Sequence, residues 1–224
     1  MLSKLFFTML SIVVSTQLFG QSAITGTWIL DGPGTESEIR LTAVGERIRS
    51  EYDLLVDDPS LYCTPASSSR IWANPNAPIK IAQDNERILI SYELFDLRRE
   101  IPLGDEAEMT DAPSTRNLSG TYFPEMGSSF ARYEGDSLVI ESRNHERGYI
   151  RTSRGIPQSP TTIAIEELRV DGNRLRVKHT YIDEAIFVEP LVLEYFFKRA
   201  DEMELAVYNC TDANYDWFDE LNAN

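Results

Sequence analysis

Histidine and cysteine, the side chains best suited to ligate zinc or iron, are few and scattered. His145 and His179 are the two histidines, and Cys63 and Cys210 are the two cysteines. Two histidines so far apart offer no ligand cluster for zinc or iron, and a cysteine pair at this separation does not resemble a zinc site. A serine hydrolase using His179 as base needs a nucleophile elbow, yet Gly127-Ser128-Ser129-Phe130-Ala131 lacks the second glycine. No glycine-rich phosphate loop, dinucleotide fingerprint or calcium loop occurs in the sequence. The adjacent acids Glu166-Glu167 and Asp183-Glu184 would point to opposite faces of a strand, so neither dipeptide is a dyad by itself. No metal and no cofactor is therefore expected. Asn117-Leu118-Ser119 and Asn209-Cys210-Thr211 match glycosylation sequons, which matter only in a eukaryotic secretory route.

Strand parity selects a second set of residues, placed where apolar groups belong. From Arg174 to Tyr181 the cations Arg174, Arg176 and Lys178 hold the even positions, so the even face is solvated. His179 and Tyr181 then share the buried face with Leu175 and Val177. In Leu97 to Leu103 the same test puts Arg99 beside Leu97, Ile101 and Leu103. An unpartnered buried guanidinium costs several kcal/mol, so a carboxylate, a carbonyl cluster or a bound anion is expected next to Arg99. A hairpin through Phe95-Asp96 would pair Tyr92 with Arg99 on the inside and Glu93 with Arg98 on the outside. Tyr195 and Phe197 add inward aromatics. An apolar wall with a few fixed polar groups is what a small-molecule pocket requires. The structural alternative stays open: Arg99 closing an ion pair with Glu134, Asp136 or Glu141, and His179 a satisfied core histidine.

The elements that must position these residues are short period-two segments divided by turn residues. The spacing predicts strands at Ile24 to Leu30, Glu38 to Thr42, Arg47 to Leu54, Ile79 to Gln83, Arg87 to Leu94, Leu97 to Leu103, Ser137 to Ser142, Thr162 to Val170, Arg174 to Ile182, Leu191 to Lys198 and Met203 to Tyr208. No long helical period is present. Turns are marked by Asp31-Gly32-Pro33-Gly34, Gly135-Asp136 and Asp171-Gly172. The pattern predicts an all-β chain, an antiparallel β-barrel or alternatively a two-sheet β-sandwich. Asp57 to Asn76 and Gly104 to Gly127 lack apolar periodicity and read as long surface loops.

The ends and the charge set the compartment. Lys4 precedes an apolar run from Leu5 to Val14, the layout of a secretory signal cut near Gly20; a bilayer span needs roughly 20 apolar residues. Residues 21–211 would form the domain, with 212–224 an acidic tail carrying Tyr215, Trp217 and Phe218. Export places Cys63 and Cys210 among oxidants, where an even count invites a disulfide, worth about 4–5 kcal/mol for so long a loop. A formal net charge of −15 over 224 residues opposes nucleic-acid binding and adsorption to anionic lipid.

The middle of the chain resembles a family of exported bacterial proteins without an established activity. The residues that carry the likeness are Cys63-Thr64-Pro65, Ile79 to Gln83, Tyr92-Glu93, Arg99-Glu100-Ile101 and the stretch Gly127 to Ile140, which parallels a Gly-His-Ser-x-Gly-Arg-Trp-Glu-Gly-Asp-Thr-Leu-Val-Val motif. The chain departs from that motif by Ser128 for the histidine, Ala131 for the second glycine and Tyr133 for the tryptophan. The resemblance implies that Arg99, Glu134 and Asp136 are shared positions and that both cysteines belong to one framework. Thr25-Gly26-Thr27-Trp28 separately resembles the opening strand of lipocalin-like barrels.

Three functions are compatible with these features. In the first, the barrel interior holds a small apolar or amphipathic molecule, with Arg99 anchoring an anionic group and Tyr92, His179, Tyr181 and Tyr195 as walls and orienters. In the second, an isomerase or cyclase moves a proton through Glu134, Asp136 or His179. In the third, a cell-envelope interaction protein uses the acidic surface and the aromatic tail.

Overall fold

The computed structural model describes residues 24–213; the expected signal segment and the tail aromatics lie outside the described residues. The described residues form thirteen strands: β1 Gly26–Leu30, β2 Thr35–Glu36, β3 Ile79–Gln83, β4 Arg87–Tyr92, β5 Leu97–Pro102, β6 Thr115–Asn117, β7 Ser128–Glu134, β8 Ser137–Arg143, β9 Gly148–Arg151, β10 Ile156–Gln158, β11 Ile163–Asp171, β12 Arg174–Ile182 and β13 Leu191–Arg199. Ten of them make one antiparallel sheet in the order β6-β5-β4-β3-β1-β13-β12-β11-β8-β7, with β2 added beside β13. The β9–β10 hairpin stands apart.

The sheet curls until its two edges meet. Leu103 bridges Ala131 in parallel, Gly104 N–H donates to the Ala131 carbonyl at 2.8 Å, and Ser114 N–H donates to the Gly127 carbonyl at 3.0 Å. The result is an antiparallel β-barrel made of two five-strand ribbons. They join along the β1–β13 ladder and again at this sparsely bonded seam. Closure removes the exposed edges that an open sheet would present.

Local chemistry explains the hairpins. Glu134 pairs with Ser137 and Asp171 with Arg174, leaving the two-residue loops Gly135-Asp136 and Gly172-Asn173. Each begins on a glycine with φ near +60°, the left-handed conformation that the twist of such tight loops demands. Gly127 opens β7 at φ 68° and ψ −176°, and a Cβ there would press on the Arg143 carbonyl and the His145 ring.

Several expected elements differ. Ala43–Glu51 is a helix, α1, instead of a strand starting at Arg47. Thr42 caps it by accepting from Gly45 N–H at 3.1 Å, and Leu41, Gly45 and Ile48 make a helical stripe against the core. The alternation of Arg47, Ile48 and Arg49 imitates a strand only over three residues. Glu38 to Thr42 is not a strand either; it makes one isolated bridge, Leu41 to Phe187 in the β12–β13 connection. The β4–β5 connection is longer than expected: Ile90 faces Arg99 and Ser91 faces Arg98, while Phe95 and Asp96 adopt positive φ. Tyr92 pairs with Ile79 instead of Arg99, although the shift by two leaves both side chains on the inner face.

The stretch 57–76 is not a surface excursion. After the short helix α2, Leu54–Asp57, it carries α3, Ser68–Trp72, whose Ser68, Ser69, Ile71 and Trp72 are buried. α3 is a plug that drives Trp72 between Tyr92 and Phe197, with ring centroids 5.7 and 5.1 Å away. Residues 203–210 form no strand; they lie as a strap on the β4–β5 turn. Glu93 accepts from Ala206 N–H at 2.8 Å, and Asp96 accepts from the N–H groups of Tyr208 and Asn209. A Cys63–Cys210 disulfide, with Cα atoms 5.8 Å apart, fastens this strap to the segment leading into α3.

The bridge closes a loop spanning 147 residues. Replacing both cysteines by serine is expected to lower stability by about 4–5 kcal/mol on chain-entropy grounds. Urea unfolding followed by circular dichroism checks this, and an unchanged midpoint would contradict it.

Candidate functional site

Arg99 projects from β5 into the barrel and is wholly buried. Its partner is Glu166 on β11, with Nη1 2.6 Å from Oε1, and this carboxylate is also fully buried. The expected partners Glu134, Asp136 and Glu141 are not used. Glu134 and Asp136 sit exposed at the β7–β8 turn, where Glu134 pairs with Arg132, while Glu141 pairs with Arg143 and Arg132. Arg99 Nη2 donates to Ser129 Oγ on β7 at 3.0 Å and to Ser142 Oγ on β8 at 2.8 Å. The guanidinium thus runs beneath the seam, linking one ribbon to three strands of the other.

Glu166 takes a second bond from Trp72 Nε1 at 2.8 Å, which ties the plug to the pair. Its cross-strand neighbour is His179, whose Nδ1 lies 4.0 Å from Oε2. Burial disfavours charge on both members of the ion pair, and their mutual attraction outweighs it. Glu166 is held below the usual carboxylate range and Arg99 above the usual guanidinium range. Burial pushes His179 down to about 4, so its ring is neutral near pH 7. Tyr181 is saturated: its hydroxyl meets Ser69 Oγ at 2.9 Å, Ser68 Oγ at 3.3 Å and Ser69 N–H at 3.2 Å, positioning α3.

Other interior groups are unsatisfied. Among the described residues, both ring nitrogens of His179 and Thr115 Oγ1 are buried with no hydrogen-bond partner, whereas the Tyr92 hydroxyl interacts with the Arg99 guanidinium. Thr115 is the β6 neighbour of Arg99. Burial pushes the Tyr92 phenol up, with the Arg99 charge acting against it. Leaving a buried polar group without a partner costs about 1–3 kcal/mol, against a net stability of about 5–15 kcal/mol for a whole domain.

Tyr195 separates this interior from the barrel mouth. Its ring stands edge-on to His179 at 5.8 Å, and its hydroxyl accepts from Arg151 Nη1 at 3.0 Å. Outside it lies a cleft of about 520 Å³ between the β1–β2 loop, α2, α3 and the turn after β9. Arg70, Arg151 and Arg154 line it against Glu36 and Asp58. Arg151 and Arg154 both pair with Glu36, at 3.4 and 2.5 Å. Among the described residues no carboxylate pairs with Arg70. The cleft therefore carries a surplus cation on a chain whose net charge is −15.

The five residues singled out as ligand-binding candidates, Tyr92, Arg99, His179, Tyr181 and Tyr195, all face the interior or its mouth. Of the three proton-transfer candidates only His179 does. Sequence reasoning missed Glu166, Trp72 and Arg70. Glu166 shares a face with Ala164 and Leu168, a signal masked by Ile163 and Ile165 on the other face. Among the described residues no cluster of histidine, cysteine and acid side chains could hold a metal ion.

The fold and site together are those of an antiparallel β-barrel with a plugged, polar-centred interior. No family model matches the chain, and no curated protein sequence does. Among solved structures it has distant matches. One is zebrafish ileal bile acid-binding protein complexed with cholic acid, at 12% identity and TM-score 0.40, covering 80% of this chain and 99% of that one. Two variants of the fluorescent protein UnaG also match. One is 14% identical with TM-score 0.40, covering 79% of this chain and 95% of its own. The other is 15% identical with TM-score 0.38, covering 80% and 97%.

Removing one member of a buried pair leaves an uncompensated charge. Arg99→Met is expected to cost about 3–5 kcal/mol, and adding Glu166→Met should recover most of it. Urea titrations of both variants check this; a double variant as unstable as the single one would refute it. Acid should also destabilise the fold in a defined window. Between pH 6.5 and about 4 the unfolded chain protonates His179 while the folded chain does not, so stability falls as pH drops through that range. His179→Gln should flatten the slope in part, because burial pushes His145 in the same direction.

Proposed function

We propose that the protein binds a small amphipathic molecule at the barrel mouth, its anionic group on Arg70 and its apolar body against Leu30, Leu54 and Tyr195. The observation that carries this reading is Arg70, which has no carboxylate partner among the described residues and lines a cleft of about 520 Å³, a volume suited to a small ligand. Because the surrounding field is strongly negative, a surplus of positive charge in one concavity is a local device that favours an anion. The anchor differs from the one expected: Arg99 already has Glu166 as counter-charge, whereas Arg70 is open to a ligand. Arg151 is held on Glu36 and on the Tyr195 hydroxyl, which preorganises the floor of the cleft.

The same reading places the protein outside the cytoplasm after cleavage near Gly20, with residues 21–211 as the working domain. The Cys63–Cys210 bridge supports this, since disulfides persist in oxidising compartments. The likeness of residues 127–140 to an exported bacterial family agrees with it.

Titration with 1-anilinonaphthalene-8-sulfonate, an anionic amphiphile, tests the site. A saturable fluorescence rise is expected, weakened about tenfold by Arg70→Gln, as for loss of a charge-assisted hydrogen bond. N-phenyl-1-naphthylamine, which has no charge, should be insensitive to that substitution. Equal affinity of wild type and Arg70→Gln for the anionic probe would reject the reading.

A further inference from the structure

Arg70 lines two concavities, and the second differs in chemistry from the mouth. On one side it borders the cleft whose apolar part is Leu30, Leu54 and Tyr195. On the other it borders a groove of about 350 Å³ between α3 and the strap, walled by Ser60, Asn74, Asn209 and Thr211 together with the rings of Phe95 and Tyr208. Among the described residues the side-chain amides of Asn74 and Asn209 and the Thr211 hydroxyl have no hydrogen-bond partner, and Arg70 is the one charged residue on the groove wall. The walls are fixed from both sides. The Cys63–Cys210 disulfide ties the strap to the segment before α3, Asp96 accepts from Tyr208 and Asn209 N–H, and Ala213 N–H donates to the Leu61 carbonyl at 2.7 Å. A groove held in shape before it is filled loses little to ordering when a ligand enters.

We infer that the mouth ligand carries its anion in the middle of the molecule, as a phosphodiester with one ester arm leading to the apolar body and the other to a neutral, hydroxyl-bearing headgroup in this groove. This rests on the mouth reading and narrows it to one class, single-chain polyol phosphodiesters. The place of the anion follows from Arg70, which borders both spaces. A carboxylate or a sulfate monoester ends the chain that bears it and would leave the groove unfilled. A phosphodiester has two arms and a single negative charge, which one guanidinium matches. Neutrality of the headgroup follows from the wall: Arg70 repels a cation there, and no carboxylate lines the groove to balance one. Its hydroxyls follow from the side chains, since amides and a threonine hydroxyl both donate and accept. Glycerol or a sugar presents the same pattern. Phe95 and Tyr208, edge to face with ring centroids 5.6 Å apart, give the carbon side of such a headgroup an apolar surface.

Isothermal titration calorimetry of the full chain with lauroyl lysolipids, kept below their micelle concentrations, tests this. Lysophosphatidylglycerol carries the glycerol headgroup, lysophosphatidic acid lacks it and bears more negative charge, and lysophosphatidylcholine puts a cation in its place. The glycerol-headed lipid is expected to bind about tenfold more tightly than either of the others, as for one or two added hydrogen bonds. Arg70→Gln should weaken the glycerol-headed lipid and lysophosphatidic acid alike. Asn74→Ala combined with Thr211→Ala should abolish the preference for glycerol while leaving the affinity for lysophosphatidic acid at the wild-type level, which also shows that the fold is intact. The inference is overturned if wild type binds lysophosphatidic acid or the choline-headed lipid as tightly as the glycerol-headed one, or if the preference survives the double substitution. In those cases an Arg70→Gln variant that still loses affinity for lysophosphatidic acid leaves the mouth site standing without the groove. Lysophosphatidic acid binding that is indifferent to Arg70→Gln removes both.

Discussion

The Arg99–Glu166 bridge governs how the barrel closes. Along the β1–β13 joint the two ribbons share a backbone ladder, but at the opposite joint they share one parallel bridge and a few N–H to carbonyl bonds. Arg99 spans that weak joint from beneath, touching Ser129, Ser142 and Glu166 on three successive strands of the far ribbon. Guanidinium geometry suits the task, since its fixed fork of donors can reach several acceptors in one plane. A buried ion pair adds little net stability compared with apolar packing, yet breaking it is costly. Its value here is specificity, because only one register of the two edges brings these four side chains together.

The same bridge organises the plug. Trp72 reaches Glu166 through its indole N–H, and Tyr181 holds the start of α3 through Ser68 and Ser69. α3 is five residues long and would not persist as an isolated helix. It stands because the barrel interior grips both ends, and because the disulfide fixes the chain just before it. Arg70 sits on the same short helix with its side chain in the mouth. One turn of helix thus carries both the interior contact of Trp72 and the mouth residue Arg70.

Much of this was legible in the residues. Alternation placed Arg99, His179 and Tyr181 inside, and it delimited β3 and β12 to the residue. The barrel followed from the number of such segments. What escaped did so for physical reasons. α1 hides behind a three-residue alternation, and its true signal is the 41, 45, 48 stripe that only a 3.6-residue period explains. β7 carries buried Ser128 and Ser129 in place of apolar residues, so period-two reasoning passes over it. Glu166 was obscured because both faces of β11 bear isoleucine or leucine. α3 lies in a stretch whose serines suggest a solvated loop, and those serines are instead satisfied by Tyr181 inside the barrel.

The placement of β1 between β3 and β13 bears on how the chain acquires its shape as it is made. β1 needs a neighbour made more than 160 residues later, since Trp28 pairs with Arg199. Until then the amino-terminal ribbon has an unclosed flank and no centre to fold around, because Glu166 too has yet to emerge. Assembly is consequently a late, long-range event, of the kind that proceeds slowly and rewards protection of the nascent polypeptide.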